Sequence, residues 1–412
     1  MHGDIISDIV INNLLMSGVD VIYLGAVPTP TVQTATEDMK CTGGISVTAS
    51  HNPQEWNGLK FLNADGTFLD ESQVKKFLRI AENGNFQYAG ESRFGSLRYD
   101  FTWIDRHIEK VLRLKILNIA KIRKRKFKAV VDAVNSSGSV IVPLLLKKLG
   151  CKVIELHCNG SGIFPHLPEP VPENLKSLSD AVKENKADFG ISVDPDADRL
   201  VLITDTGEPF GEENTITAVS NFVLKNYHRK KNKSVTVNLS TTRSVDDIAK
   251  KNKAEVYRSP VGEINVVKEM QKRKSVIGGE GSGGVIYPEL HYGRDSAIGI
   301  ALMLNELSDF NGKLSDYKKT LPEYYILKSK IVLKETPDSV LNEVKKQISK
   351  DKSLIKIRTD DGLKADFKNY WIHLRKSNTE PIIRIIVEAK SNRDSVDKLR
   401  VIEKIIADYN KK

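Results

Sequence analysis

Three aspartates spaced two apart, Asp194, Asp196 and Asp198, follow an apolar run in "ISVDPDADRL" (191–200). On a looping backbone their carboxylates converge on one hard cation. Three such charges so close together repel one another strongly, and a divalent ion is the simplest way to offset them; Mg²⁺, which takes a few carboxylates together with phosphate oxygens, fits this donor set. A calcium loop is the alternative, but the stretch lacks the central glycine and closing glutamate of an EF-hand. Arg199, next in sequence, suits a phosphate or a neighbouring carboxylate. A second stretch, "SVTASHNPQEWNGLK" (46–60), runs from an apolar strand into a polar turn holding Ser50, His51, Asn52 and Lys60. Such a turn lifts Ser50 off the end of a sheet, where a nucleophile or an anchored phosphate can sit, although an ordinary Asx-Pro turn accounts for the same residues without chemistry.

Two further stretches carry ligand-binding residue types. In "VIGGEGSGG" (276–284) glycines enclose Glu280 and Ser282, which allows close backbone approach to a ligand and offers a carboxylate to sugar hydroxyls. It has neither a Walker lysine nor a G-x-G-x-x-G register, so a flexible turn is the plain alternative. In "LRKSNTEPIIRI" (374–385), Arg375, Ser377, Asn378, Thr379 and Arg384 gather around one turn between two strands. Two guanidinium groups with hydroxyl and amide donors form a phosphate cradle; a surface turn is the alternative.

The elements that must position these loops follow from periodicity. A chain of 412 residues exceeds one core and implies several domains. The first third reads as the helix "ISDIVINNLLMSG", the strand "DVIYLG", a helix near 32–38 and the strand "GGISVTA". A doubly wound unit normally opens on a buried strand, and this one opens on a helix, so a first domain shortened at its N-terminus is expected. A second unit opens with "FKAVVDAV" and returns as "CKVIELHC". A third, after "NYHRKKNK", repeats the strand, turn, helix order without a residue-level repeat. Beyond residue 320 the alternating strands "LIKIRTDDGLKADF", "YWIHLRKS" and "IIRIIVEA" lie between two helices, the pattern of a small α+β domain with an antiparallel sheet. The expected division is 1–122, 123–224, 225–320 and 321–412.

Lys and Arg number 63 against 53 Asp and Glu, a net +10. The surplus is spread out, and the runs "KIRKRKFK" (121–128) and "HRKKNK" (228–233) are not interleaved with aromatics, so solvated surface rather than nucleic-acid binding is expected, and an anionic substrate is the more economical partner. Cys41, Cys151 and Cys158 make neither a disulfide framework nor a metal knuckle, which fits a reducing compartment. There is no basic-then-apolar leader and no apolar run of membrane-spanning length, so a cytoplasmic location is expected.

Together the four loops resemble the α-D-phosphohexomutases, the family of phosphoglucomutase, phosphomannomutase and phosphoglucosamine mutase. The match covers nearly the whole chain in motif order: "TASHNP" is similar to the family's phosphoserine loop, "DPDADR" to its metal loop, "GEGSGG" to its sugar-recognition loop and "RKSNTEP" to its phosphate-binding loop. "SPVGEINVVKEM" and "HYGRDSAIGIAL" look most like phosphoglucosamine mutase-type members. The resemblance implies three related α/β domains with mixed sheets plus a C-terminal α+β domain around a central cleft. It makes Ser50 the phosphorylated serine and, with Asp194, Asp196 and Asp198, a ligand of Mg²⁺. His51, Lys60 and Arg199 complete the catalytic set, with Lys60, its pKa lowered, as a proton shuttle. Glu280 and Ser282 would take the sugar hydroxyls; Arg375, Ser377, Asn378, Thr379 and Arg384 would hold the phosphate that is not reacting. The implied reaction interconverts hexose 1-phosphate and hexose 6-phosphate through a 1,6-bisphosphate, which also serves as activator. Glucosamine phosphate is the expected substrate, with glucose and mannose phosphates as alternatives, and the protein is expected to be a monomer or homodimer. The family's leading Gly-Thr-Ser-Gly-Xaa-Arg-Gly-like segment and its later Gly-Arg-Asp turn have no counterpart before the first long helix. A neighbouring sheet edge left unpaired and weakened turnover are therefore expected, and the alternative function is a sugar-phosphate-binding protein of impaired catalysis.

Overall fold

The computed structural model describes residues 2–50, 52, 55–84, 86–90, 93–228, 233–333, 336–376 and 382–410. The first unit contains α1 (His2–Met16), β1 (Val21–Tyr23), α2 (Thr29–Asp38), β2 (Gly43–Val47), β3 (Leu59–Asn63), α3 (Glu71–Glu82), β4 (Leu97–Tyr99) and α4 (Trp103–Leu112). Its strands pair two by two, β1 parallel with β4 and β2 antiparallel with β3, and no ladder among the described residues joins the pairs. The α2 sequence TPTVQTATED presents hydroxyls and an amide to the interior, so Thr29, Thr31, Gln33, Thr34 and Thr36 are buried and must find partners across the molecule.

The second and third units share one strand order. The second holds α5 (Ile119–Arg125), β5 (Lys128–Asp132), α6 (Gly138–Lys148), β6 (Lys152–His157), α7 (Lys176–Glu184), β7 (Phe189–Val193) and β8 (Leu200–Thr204), in the sheet order β6-β5-β7-β8. The third holds α8 (Glu212–Asn226), β9 (Ser234–Asn238), α9 (Ser244–Lys251), β10 (Glu255–Ser259), α10 (Glu263–Arg273), β11 (Ile277–Glu280), β12 (Gly284–Ile286), α11 (Ser296–Phe310) and α12 (Leu314–Lys318), in the order β10-β9-β11-β12. In each sheet three strands are parallel and the last is antiparallel. Strands β7, β8 and β9 are buried along their whole length and β5 from Ala129 onward, polar residues included, because helices cover both faces. One apolar core runs from Ile108 to Leu321 through both units.

The last unit is the expected α+β domain: β13 (Tyr325–Val332), α13 (Pro337–Ile348), β14 (Leu354–Arg358), β15 (Leu363–Phe367), β16 (Tyr370–Lys376), β17 (Ile382–Ala389) and α14 (Asn392–Tyr409). Its five strands form an antiparallel sheet, β13-β17-β16-β15-β14, over a core of its own. It docks on the third unit through Val261 N to Asp361 (2.8 Å), Ser240 Oγ with His373 Nδ1 (2.8 Å) and Arg243 N to Glu388 (3.0 Å). The fold class is thus α/β with mixed sheets and a C-terminal α+β domain.

The first unit contrasts with the rest. Prolines aside, Ala35 and Leu62 are its buried apolar side chains over the described residues 2–101, while Ile5, Ile9, Phe77, Leu78 and Ile80 on its helices are exposed, and α3 buries nothing. Segments with little buried apolar surface open at low free-energy cost. Amide hydrogen exchange is therefore expected to be fastest in α1 and α3 and slowest in β5, β7 and β9. Protection of α3 equal to that of β7 would contradict this.

Candidate active site

The acidic loop leaves β7 and returns as β8. Ala197 occupies the left-handed region (φ 51°), with its N–H on Asp194 O (2.9 Å), which folds three successive carboxylates into one turn. Asp194 Oδ1 accepts the backbone N–H groups of Asp198 (3.0 Å) and Arg199 (3.1 Å). Left-handed backbone at a non-glycine residue costs energy that the surrounding structure must supply, and such strain gathers at functional sites.

All three aspartates are buried, and ligand oxygens of the three lie within 4.8 Å of one another. Each leaves one buried oxygen that accepts no hydrogen bond among the described residues: Asp194 Oδ2, Asp196 Oδ1 and Asp198 Oδ1. Buried acceptors left without donors are costly; Arg199 Nε stands 3.7 Å from Asp194 Oδ2 and 3.8 Å from Asp198 Oδ1, beyond hydrogen-bond reach, and the three carboxylates are placed so that they could hold a metal ion. Burial, then the charges of Asp198 and Asp196, push the Asp194 carboxyl well above the ordinary carboxylate range. Burial works the same way on Asp198, but Arg294, Lys60 and Arg199 outweigh it and hold that carboxyl below its usual value. The donor set fits Mg²⁺, which is hard and oxygen-seeking.

The first unit reaches this loop from β2, β3 and α2. Lys60, on β3, places Nζ 2.6 Å from Asp196 Oδ2 and 3.6 Å from Asp198 Oδ2. Burial works against its charge, but Asp196 and Asp198 together outweigh burial, and its pKa is raised rather than lowered. The expectation of a lysine poised to lose its proton is corrected: here Lys60 is an ammonium compensating the acidic loop. Opposite it in the β2–β3 ladder is Ser46, whose Oγ lies 2.9 Å from Thr29 Oγ1. Thr29 in turn donates to Asp196 Oδ2 (2.8 Å) and its N–H to Asp196 O (3.1 Å). Ser50 follows Ser46 by four residues, at the turn after β2, in the left-handed region (φ 52°) with its N–H on Thr48 Oγ1 (2.9 Å). The strand pair that delivers Lys60 to the acidic loop is the one that ends at Ser50. His51 lies outside the described residues.

The glycine loop is the tip of the β11–β12 hairpin and packs on the exit of the acidic loop. Leu200 N donates to Gly283 O (3.0 Å), and Arg199 bridges to Gly284. Gly283 has φ 87°, and a Cβ there would fall 2.4 Å from Leu200 O, so only glycine permits this approach. Ser282 is half-buried at the tip. Glu280 is turned inward: Oε1 accepts Asn238 Nδ2 (2.8 Å) and Gly262 N (3.0 Å), and Oε2 accepts Arg294 (2.6 Å). Beneath Gly281, burial raises the Glu213 carboxyl to about 8.

Arg294 joins the two loops. Its guanidinium contacts Asp198 Oδ2 (2.6 Å), Glu280 Oε2 (2.6 Å) and Glu263 Oε2 (3.1 Å). Glu263 also accepts from Gln33 (3.1 Å), tying in α2. Neither Arg294 nor Thr29 was singled out from sequence. The signals were present: "GRDS" sets an arginine beside Asp295, the N-cap of a buried helix, and "PTPT" opens a helix whose threonines have no apolar reason to be inside.

In the last unit, Arg375 sits on β16 and Arg384 on β17, directly opposite one another in the ladder rather than together on a turn. Arg375 Nε donates to Asp361 (2.9 Å), and Arg384 is exposed. Ser377, Asn378 and Thr379 lie outside the described residues.

The structure thus holds a serine at a left-handed turn, a triad of buried carboxylates that could hold a metal ion, and a glycine hairpin bound to the exit of that triad's loop. Sequence models of the phosphoglucomutase/phosphomannomutase family match unit by unit: domain I over residues 1–88, domain II over 105–207, domain III over 212–325 and the C-terminal domain over 329–404. The chain belongs to the phosphoglucomutase/phosphomannomutase family, and it is an intramolecular phosphotransferase, an isomerase. It is 35% identical over 98% of its length, and 88% of the relative's, to a phosphoglucomutase/phosphomannomutase of Thermococcus kodakarensis. It is 32% identical over 98% of its length, and 89% of the relative's, to a phosphoglucosamine/phosphogalactosamine mutase of Sulfurisphaera tokodaii. A phosphoglucomutase/phosphomannomutase family protein of Burkholderia thailandensis, 24% identical, shares the fold with a TM-score of 0.83 over 97% of this chain and 86% of the other. No helix among the described residues is long and apolar enough to cross a membrane.

Proposed function

We propose that the protein interconverts hexose 1-phosphate and hexose 6-phosphate, with glucosamine phosphate the preferred substrate, through a phosphorylated Ser50 and a hexose 1,6-bisphosphate. The observation that carries this reading is the set of three buried carboxylate oxygens that accept no hydrogen bond among the described residues, beside Lys60 on the β2–β3 pair that leads into the Ser50 turn. Asp194, Asp196 and Asp198 would hold Mg²⁺ together with a phosphoryl oxygen on Ser50. When bound, the ion withdraws charge from the phosphoryl group and lowers the barrier to an incoming hydroxyl. The substrate's hydroxyl oxygen bonds to phosphorus as the Ser50 Oγ–P bond breaks, and the hydroxyl proton ends, in net, on Ser50 Oγ. Lys60 and Arg199 offset the charge that accumulates between the acidic loop and the phosphoryl oxygens. The reverse transfer, from the other end of the bisphosphate, returns the phosphate to Ser50.

On this reading residues 1–122 carry the serine, 123–224 the metal loop, 225–320 sugar recognition and 321–412 the distal phosphate. Ser282 and, after exchange of its Arg294 contact, Glu280 take the sugar hydroxyls; Arg375, Arg384, Ser377, Asn378 and Thr379 take the phosphate; His51 completes the catalytic set. Relatives named as phosphoglucosamine mutases support the choice of sugar, and a fold relative from Aspergillus fumigatus described in complex with GlcNAc-6P and magnesium supports Mg²⁺.

Incubation with Mg²⁺, catalytic glucose 1,6-bisphosphate and, separately, glucosamine, glucose and mannose 1-phosphates tests the assignment. The highest kcat/KM is expected with glucosamine 1-phosphate. Preference for another sugar would revise the substrate, and binding of all three without conversion of any would favour a sugar-phosphate-binding protein.

A further inference from the structure

The first unit buries little apolar surface, so polar residues must hold α2 against the rest of the molecule. Three of them, at alternate positions, are buried and reach three different elements. Thr29 donates to Asp196 Oδ2 (2.8 Å), Gln33 donates to Glu263 Oε1 (3.1 Å), and Thr31 Oγ1 meets His107 Nδ1 at 2.9 Å. The first two partners belong to the site described above. The third is a fully buried histidine on α4, the helix that packs on both α2 and α11.

His107 shares the buried face of α4 with Trp103, Ile108 and Val111, a face that an apolar residue would complete at lower desolvation cost. A polar group in such a place needs partners, and its two ring nitrogens have them. Nε2 lies 2.8 Å from Asp295 Oδ2, opposite Thr31 on Nδ1. As a neutral imidazole it donates from Nε2 and accepts the Thr31 hydroxyl; as an imidazolium it donates from both nitrogens. Either form joins α2 to Asp295. Asp295 is in turn the N-cap of α11: its Oδ1 accepts Ala297 N (2.7 Å), and its own N–H donates to Val285 O (2.9 Å). On one side of it, Ser296 N donates to the carbonyl of Ala197, the left-handed residue of the acidic loop, at 3.3 Å. On the other side is Arg294, and beyond it Gly293, where a Cβ would fall 2.3 Å from Gln33 Oε1. The backbone that carries Arg294 is thus fixed from α2, α4 and the acidic loop together.

We propose, on the reading of the acidic loop as the metal site of the transfer, that His107 is a positioning residue for the reaction. By tying Thr31 to Asp295 it sets Arg294 against Asp198 and Glu280, and it sets Thr29, two residues before Thr31, against Asp196. Among the described residues its side-chain hydrogen bonds go to Thr31 and Asp295, so it acts on the loop through them. A displacement of about 1 Å at groups that align a transfer costs on the order of 100-fold in rate, and a bridge between two such groups controls both at once.

The test compares three variants of the full chain with wild type, in steady-state kinetics with a hexose 1-phosphate at saturating Mg²⁺ and glucose 1,6-bisphosphate, and in hydrogen exchange of α2. His107→Phe keeps a ring and breaks both bonds, His107→Gln keeps a donor for Asp295, and Thr31→Val keeps the shape of the threonine without its hydroxyl. In His107→Phe, kcat and kcat/KM are expected to fall together by about 10–100-fold, with KM within about twofold of wild type, and α2 is expected to exchange faster. His107→Gln should recover part of that loss. Thr31→Val should lower kcat by itself, and added to His107→Phe it should cost nothing further, because the two act through one bridge. If His107→Phe does not fold, Thr31→Val decides. A lowered Tm with wild-type kcat in the folded variants, or losses that add fully in the double variant, would overturn the proposal and leave His107 as packing. A wild-type chain that converts no hexose phosphate would count against the transfer, whereas unchanged exchange of α2 in His107→Phe, or in Thr31→Val where His107→Phe does not fold, would count against the bridge, so the two readings fail separately.

Discussion

Ser50→Ala is expected to reduce mutase turnover to background while leaving the fold and the three aspartates of the metal loop in place. The serine is the one group whose oxygen must carry the phosphoryl group between the two half-reactions, so no neighbour can share its role. The side chain adds little to packing. It stands half-buried at a turn, and the contact fixing that turn, Ser50 N on Thr48 Oγ1, uses the backbone and survives the change. The left-handed φ of 52° makes alanine somewhat less comfortable than serine, so a small loss of local order accompanies the variant. Stability measured by thermal unfolding should therefore move little. Residual turnover within tenfold of wild type would place the phosphoryl acceptor elsewhere.

The second large effect is expected at Asp198. Its Oδ2 holds Arg294 at 2.6 Å, and its Oδ1 is one of the three oxygens that await a cation. Asp198→Asn keeps the shape but removes a charge that offsets Arg294, Lys60 and Arg199 at once. Lewis-acid stabilisation by a bound metal supplies several kcal/mol, and at tenfold per 1.4 kcal/mol its loss lowers kcat by about three orders of magnitude. Raising Mg²⁺ should restore little, because the missing ligand also positioned Arg294 against Glu280. Full activity recovered at high Mg²⁺ would mean that Asp198 contributes affinity alone.

What the sequence made legible was what the chain keeps local. Asp194, Asp196 and Asp198 fall within five residues, so their convergence needs only a turn. The shared design of the second and third units showed in the order of strands, turns and helices, because short β-branched runs alternate there with helical patterns. Groups assembled across units were not legible. Thr29 meets Asp196, Gln33 meets Glu263 and Arg294 meets Asp198 across 167, 230 and 96 residues of chain. The charge state of Lys60 was misjudged for the same reason: its position was readable, but the carboxylate that decides its proton affinity lies 136 residues away. The two-by-two pairing of the first unit's strands was likewise hidden, since strand partners are set by long-range packing and not by the pattern of any one strand.

The most direct test of the central claim is to find the phosphoryl group. The wild-type protein is treated with glucose 1,6-bisphosphate and Mg²⁺, its intact mass is measured, and the modified residue is mapped by peptide fragmentation. The account predicts a gain of one phosphoryl group, on Ser50, lost again when excess hexose 1-phosphate is added. A phosphoryl group on any other residue, or one on Ser50 that hexose phosphate cannot remove, would contradict it.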